Sequence, residues 1–366
     1  MRVVTLEQAA AAPLCTRRLA LAGAEVFKIE RPEGDFARGY DAAVLGASSY
    51  FVWLNAGKKS VVLDLKNPAD RDRLKELIGL SHLLVETLKP AAMENLGLGL
   101  DDLCAQHATL IAVSIAGFNP RGPGANRKAY DLLMQAESGL ADITGSHHEA
   151  GRVGVSIVDA STGMYAYEAI LEALLARHHS GAGCRIDISL FDAVADLLTV
   201  PYLLERYAGQ APQRVGLAHP GICPYGVFHS QDERAFVLSI QNEREWQRLC
   251  TAGLNLPDLV RDERCLDNAT RVANRSFVDE AVAAVFKTRP YTRIEADLNR
   301  ADLAFAPVNP LAALRTHSDF HTTTVTVDEQ TVEIPLVPGL EKPAGLKVPA
   351  LGEHTAEVLA LLDGGD

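Results

Sequence analysis

With 366 residues, 48% of them hydrophobic and 22% charged, the chain has the balance of a folded protein with a large core and room for two domains. A net charge of -12 disfavours a nucleic-acid partner, which needs a broad basic surface, yet permits a small anion held by a local cluster of Lys and Arg. No apolar run approaches the roughly 20 residues that cross a bilayer, and the start lacks a signal-peptide pattern, so a cytoplasmic protein with no membrane association is expected.

In chain order, Arg2 to Leu6 reads as a strand, Gln8 to Ala22 as a helix capped by Gly23, and Ala24 to Ile29 as a second strand. This βαβ opening predicts a parallel sheet with ligands at the carboxyl ends of its strands. The loop after the second strand, E-R-P-E-G-D-F-A-R, carries Arg31 and Arg38. After it come the turn Asn55-Ala56-Gly57, then Lys58, Lys59, a strand from Ser60 to Leu65, and Lys66. Lone cations of this kind are usually solvated surface, but grouped in loops beside strands of an acidic protein they suit a phosphate or pyrophosphate. No G-x-G-x-x-G or Walker loop accompanies them.

Asn67 and Pro68 open a helix through Ile78. Strands at His82 to Glu86 and Leu110 to Ile115 follow, with short helices near Ala92 and Asp101, completing a doubly wound, Rossmann-like α/β domain. Residues 116–127 form a Gly- and Pro-rich loop, and Lys128, Tyr130 and Asp131 begin a helix through about Ala136. The six cysteines show no metal-ligand spacing, most reading as small buried hydrophobes, and His147-His148 lacks a third ligand, so no metal site is expected.

The stretch from Gly151 to His179 organises the rest. Its β-branched run Val153 to Val158 reads as a strand, residues 159–163 as a turn, and the remainder as a helix burying Met164, Tyr167, Leu171, Leu174, Leu175 and His178. Asp159 then stands at a strand-to-helix junction. Asp is a favoured N-cap, so capping alone accounts for it; a carboxylate held beside helix-start N–H groups is the chemical alternative.

A strand from Cys184 to Leu190 leads into a long helix kinked at Pro201 and ending near Gly209. A smaller α+β domain is expected over residues 222–330. It contains a strand at Ala235 to Ile240, helices at Glu243 to Ala252 and Thr270 to Lys287, a strand at Ala304 to Asn309 and a hairpin through Asp328-Glu329. Residues 1–210 make the large domain, and 331–366 a segment returning to it.

P-L-C-T-R-R-L-A-L-A-G-A-E-V-F-K-I-E-R-P-E-G-D-F-A-R, N-A-G-K-K-S-V-V-L-D-L-K, K-A-Y-D-L-L-M-Q-A-E-S-G-L, D-A-S-T-G-M, G-A-G-C-R-I-D-I-S-L-F-D-A and L-G-E-H-T-A-E-V-L occur in this order over nearly the whole chain. In these the chain resembles the class III CoA-transferases, the CaiB/BaiF family that includes formyl-CoA transferase and, more distantly, α-methylacyl-CoA racemase. The resemblance implies that Asp159 is a nucleophile, acylated by an acyl-CoA and then carrying CoA as an aspartyl thioester before an acceptor acid takes it. Backbone donors at the helix start would stabilise the oxyanions. It places CoA against Arg38, Leu63, Asp64, Leu65, Lys66, Lys128 and Tyr130. An aromatic and an Arg common in the family are replaced by Leu88 and Asn95, which points to Lys89 as a substitute contact. It also implies an interlocked homodimer, with CoA and acyl-CoA as substrates and no permanently bound cofactor.

The resemblance extends to substrate. The formyl-CoA transferase glycine-rich loop has no counterpart here, and T-L-E-Q-A-A-A-A-P-L-C-T with H-P-G-I-C-P-Y-G-V-F is most like members acting on succinate, itaconate, mesaconate or citramalate. His219, Tyr225 and Gln241 are acceptor-side candidates, each equally readable as a core or turn residue. Two alternatives stand beside transfer. The racemases use a histidine base where this chain has Tyr130, and a tyrosine of ordinary pKa is a poor base at neutral pH. A non-catalytic CoA-binding protein would bind CoA and be indifferent to Asp159→Asn.

Overall fold

Val3 and Val4 are both fully buried, and successive side chains of a strand face opposite ways, so the first strand must be covered on both sides. The computed structural model describes residues 1–89, 91–339 and 345–363; part of the 331–366 segment therefore lies outside the described residues. In chain order the first elements are β1 (Arg2–Leu6), α1 (Ala11–Leu21), β2 (Glu25–Glu30), α2 (Ser49–Asn55), β3 (Lys59–Val62), α3 (Pro68–Gly79) and β4 (Leu83–Glu86). There follow α4 (Ala92–Asn95), α5 (Leu100–Gln106), β5 (Ile111–Ala116), α6 (Asp131–Glu137), α7 (Leu140–Ile143), α8 (Ile157–Ser180) and β6 (Cys184–Ser189).

The six strands form one sheet in the order β3-β2-β1-β4-β5-β6, every neighbouring pair parallel. Val3, Val85 and Val113 pack on one face with α1 and α8 residues, and Val4, Leu84 and Ala112 on the other with α3 and α5 residues. The strand order reverses between β1 and β4, so a crevice is expected at their carboxyl ends.

Two expectations about the central stretch fail. Residues 153–158 form no strand: the place beside β5 is taken by β6, and two of the segment's N–H groups turn to side chains, Val153 donating to Gln135 and Val158 to Asp131. Asp159 is accordingly the third residue of α8. Nor does α8 bury the whole of the expected face: Tyr167 and Leu174 are partly buried against the core, and His178 is exposed. Met164, Leu171 and Leu175 are exposed, while Gly163, Ala166, Ile170 and Ala173 face inward. Contact with α1 is too close for bulk, since a Cβ on Gly163 would lie 2.5 Å from the Ala11 carbonyl oxygen. At the far end Arg177 donates to the carbonyls of His82 and Thr109, just ahead of β4 and β5. The start of α8 thus lies at the carboxyl edge of the sheet.

The helix expected after β6 is divided into α9 (Leu190–Leu197) and α10 (Thr199–Ala208). Pro201 has no N–H to give the Leu197 carbonyl, and the break falls there. Residues 1–140, 153–200 and 321–366 form one compact unit, and residues 141–152 and 201–320 a second. The second unit holds the antiparallel sheet of β7 (Tyr225–His229), β8 (Ala235–Ser239) and a later strand, with α11 (Glu243–Arg248), α12 (Asn268–Ala273), α13 (Arg275–Phe286) and α14 (Tyr291–Arg300). That later strand is β9 (Ala304–Pro307), paired with β8. The single helix expected over 270–287 is interrupted at Asn274, whose side chain donates to the Thr270 carbonyl.

The hairpin of β10 (Thr322–Val327) and β11 (Gln330–Pro335) turns at Asp328-Glu329 as expected, but it belongs to the first unit, not to a small domain running to residue 330. Beyond it, β12 (Leu346–Lys347) pairs with β10, and α15 (Thr355–Ala360) brings Val358 into the core beside β3. Gly352 N–H donates to Ser60 Oγ (2.9 Å), and Val62 N–H to Thr355 Oγ1 (2.9 Å).

Candidate active site

Asp159 sits in the first turn of α8, half-buried. Burial disfavours its charged form, the negative charge of Asp131 adds to that, and together they raise its pKa from 3.8 to about 7. The position of Asp131 follows from the backbone. Ser156, the N-cap of α8, makes no capping bond; its hydroxyl shares a 2.9 Å hydrogen bond with the Tyr50 hydroxyl instead. The cap is supplied from α6. Asp131 Oδ1 accepts from Val158 N–H (2.8 Å) and Asp159 N–H (3.1 Å), and Asp131 Oδ2 accepts from Gln135 Nε2 (2.6 Å). Gln135 Oε1 in turn accepts from Val153 N–H (2.9 Å), pinning the chain ahead of the helix.

This arrangement overturns the expected source of oxyanion donors. Ile157 N–H donates to Val155 O and Ala160 N–H to Ser156 O, while those of Val158 and Asp159 go to Asp131. Every N–H from Ile157 to Ala160 is engaged. The cap explanation is likewise answered: a carboxylate caps α8, and it belongs to Asp131, not Asp159.

Aromatic side chains from the loop after β2 and from α2 stand beside this helix start. Tyr40 meets Tyr50 edge-on at 5.6 Å and Phe36 at 5.7 Å, and Tyr50 meets Trp53 at 6.0 Å. Tyr50, Trp53 and Ala160, the last next to Asp159, all pack against the buried group of Ala10, Leu14 and Leu54.

Beneath the loop lies a buried charge network. Glu7 Oε1 binds Lys58 Nζ (2.6 Å) and Lys28 Nζ (3.4 Å), and Lys28 binds Asp35 (2.9 Å). Burial alone would raise the Glu7 carboxyl, but the two ammonium groups outweigh it and hold it at about 2. Glu30 forks onto Arg38 at 2.8 and 2.7 Å and accepts from Ser60 Oγ at 2.6 Å. Arg38 also reaches the Pro349 carbonyl (3.2 Å) and covers the Phe51 ring at 3.8 Å. The basic set seen in the sequence is thereby dispersed. Lys58 is buried, Lys59 enters β3 at its opposite end and pairs with Glu25 and Glu357, and Arg38 is committed to Glu30. Arg31 and Lys66 remain at the carboxyl edge.

There a cavity of about 240 Å³ opens at the reversal of strand order, lined among others by Gln8, Arg31, Leu63, Asp64, Leu65, Lys66 and Leu88. Four sequence-predicted contacts, Leu63 to Lys66, thus come together. Lys89 lines a smaller neighbouring cavity of about 100 Å³ with Glu86, Ser114 and Arg185. Lys128 and Tyr130 are exposed at the entry to α6, Tyr130 directly preceding the capping Asp131. His219, Tyr225 and Gln241 belong to the second unit. The rings of His219 and Tyr225 stack at 5.4 Å, and Gln241 Nε2 donates to Ser239 Oγ, on the residue paired with Tyr225.

Asp131, Gln135, Tyr40 and Tyr50 were not recognised as site residues in the sequence. The i,i+4 spacing of Asp131 and Gln135 was the available signal. His147 and His148 are exposed, and among the described residues no group of three His, Cys, Asp or Glu side chains could hold a metal. No helix among them is long and apolar enough to cross a membrane.

A family model described as CoA-transferase family III matches residues 1–355. The acetyl-CoA:oxalate CoA-transferase of Acetobacter aceti is 34% identical over 312 aligned positions, covering 84% of this chain and 79% of that protein. The succinate–glutarate CoA-transferase of Agrobacterium fabrum is 30% identical over 383 positions, covering 99% and 95%. A crystal structure of a CaiB/BaiF family protein from Brucella suis superposes with a TM-score of 0.83 at 30% identity, over 99% of this chain and 98% of that one.

Proposed function

The chain belongs to CoA-transferase family III, and from that premise we propose that it moves CoA from an acyl-CoA to a short dicarboxylic acid, with Asp159 as the covalent carrier. The observation that carries this reading is a half-buried carboxyl whose pKa is raised to about 7, on a helix start whose N–H groups are capped by a second carboxylate, that of Asp131. A desolvated, more basic carboxylate is a stronger nucleophile once ionised. Its oxygen attacks the thioester carbon and expels CoA thiolate, leaving a mixed anhydride. The thiolate then attacks the Asp159 carbonyl of that anhydride, releasing the donor acid and leaving aspartyl-CoA. The acceptor carboxylate repeats the two exchanges in reverse.

CoA is assigned to the cavity lined by Leu63, Asp64, Leu65 and Lys66, with Lys89, Lys128 and Tyr130 along its course and Arg38 behind it through Glu30. His219, Tyr225 and Gln241 are assigned to recognition of the acid. The dicarboxylic class is supported by the relatives named for oxalate and for succinate and glutarate. Transfer is favoured over racemisation because Tyr130 stands where the racemases have a histidine base. The test is to incubate the protein with a panel of acyl-CoAs and mono- and dicarboxylic acids and follow new thioesters by mass spectrometry. Exchange with a dicarboxylate is expected; deuterium entering the α-carbon of an acyl-CoA without any acid would instead support racemisation, and a folded protein that exchanges nothing would end the reading.

The assignment extends to a homodimer. Met164, Leu171 and Leu175 leave α8 with an exposed apolar face, and Leu197 adds to the exposed apolar surface of this unit. Sedimentation equilibrium at micromolar concentration should return twice the mass of one chain, and a single-chain mass would remove the homodimer.

A further inference from the structure

In CoA transfer, the reaction on which this inference rests, each attack places negative charge on a carbonyl oxygen, and an enzyme lowers the barrier by aiming a fixed donor at it. The usual source, the N–H groups of the helix start, is spent: those from Ile157 to Ala160 are all bonded within the protein. Nearby hydroxyls are engaged as well. Ser161 and Thr162 both donate to the Val158 carbonyl, and Ser156 and Tyr50 are turned to each other in one shared hydrogen bond. Tyr40 differs. Its ring is fixed between Phe36 and Tyr50, Tyr50 is tied to Ser156 three residues before Asp159, and its own hydroxyl has no partner among the described residues. Tyr130 also has a free hydroxyl but is the more exposed, at 59% against 47% for Tyr40.

We propose that the Tyr40 hydroxyl is the donor that holds the oxyanion each time Asp159 is acylated or released. When an Asp159 oxygen bonds the thioester carbon, the carbonyl electron pair moves to oxygen and accepts the Tyr40 hydrogen bond. The pair returns as the C–S bond breaks and CoA thiolate leaves. Tyr40 keeps its proton throughout. Its acidity agrees with this: burial, then the negative charges of Asp35 and Asp159, push it up to about 12, so it remains a donor across the working range.

Tyr40→Phe keeps the ring and its contacts and removes one oxygen. Loss of one such donor typically costs 10²–10³ in kcat, so a drop of about 10²-fold is expected, with the KM for acyl-CoA changed by less than about threefold. Hydroxylamine capture of the acylated enzyme in a single turnover should slow by the same factor. A packing role would instead lower thermal stability and raise KM while sparing kcat. A variant with kcat within about threefold of the unmodified protein overturns the inference. Because the unmodified protein is assayed alongside, its inactivity would count against CoA transfer itself, whereas an active parent with an equally active variant counts against Tyr40 alone.

Discussion

Asp159→Asn is expected to lose CoA exchange and gain stability through the same change. Removing a covalent nucleophile should lower turnover by at least ~10³-fold, with CoA still bound. The gain follows from proton linkage. The folded carboxyl binds its proton more tightly than the unfolded one, so this group costs nothing below about pH 3.8, and stability declines as the pH rises from there to about 7. At 1.36 kcal/mol per pKa unit the full effect would be ~4 kcal/mol, and partial access to water reduces it to ~2 kcal/mol. The asparagine variant should therefore melt above its parent at pH 8, with the gap closing toward pH 4. The parent's kcat/KM should rise with pH through a limb near 7. A variant that melts below its parent at pH 8 would mean that the Asp159 carboxyl is not strained by its surroundings.

Substitution of Asp131 should separate support from electrostatics. Asp131→Ala removes a helix cap worth about 1–2 kcal/mol and strands the buried donors of Val158, Asp159 and Gln135, so a total loss of about 3 kcal/mol is expected in a denaturant titration. Asp131→Asn keeps an oxygen for the helix start while deleting the charge. Burial is the larger cause of the raised Asp159 pKa and Asp131 the smaller, so the acid limb of kcat/KM should move to lower pH without reaching the ordinary carboxylate range. A limb that stays in place would show that the Asp131 charge does not reach Asp159.

What the sequence disclosed followed from how local each signal was. The parallel sheet was readable because β1, β4 and β5 are largely apolar runs, and β2 sets Val26, Phe27 and Ile29 among charged residues, with helical stretches between them; the Asn67-Pro68 start of α3 is a local rule, met by an Asn67 bond to Ala69 N–H. The run 153–158 misled because β-branched composition signals a strand only where an edge is open to receive it, and β6, some 30 residues later, takes that edge. The inward face of α8 was misjudged because size suggests burial, whereas close approach to α1 selects glycine and alanine. The candidacy of Asp159 rests on its family motif. Asp131 was seen only as a helix start, since its partners lie 27 and 28 residues away. Lys58 and Arg38 resembled a phosphate site because sequence records that a cation is present but not which carboxylate has already claimed it.

The contacts between β3 and the segment after β12 bear on how the molecule is assembled. Gly352 meets Ser60 across 292 positions and Arg38 meets Pro349 across 311, and both links converge on Glu30, which lines the larger cavity. Contacts of such high contact order form slowly, because the entropy of closing a long loop is lost before any bonding is gained. The edge proposed to bind CoA is therefore among the last parts to consolidate: a refolding chain should recover its secondary structure well before it recovers affinity for CoA.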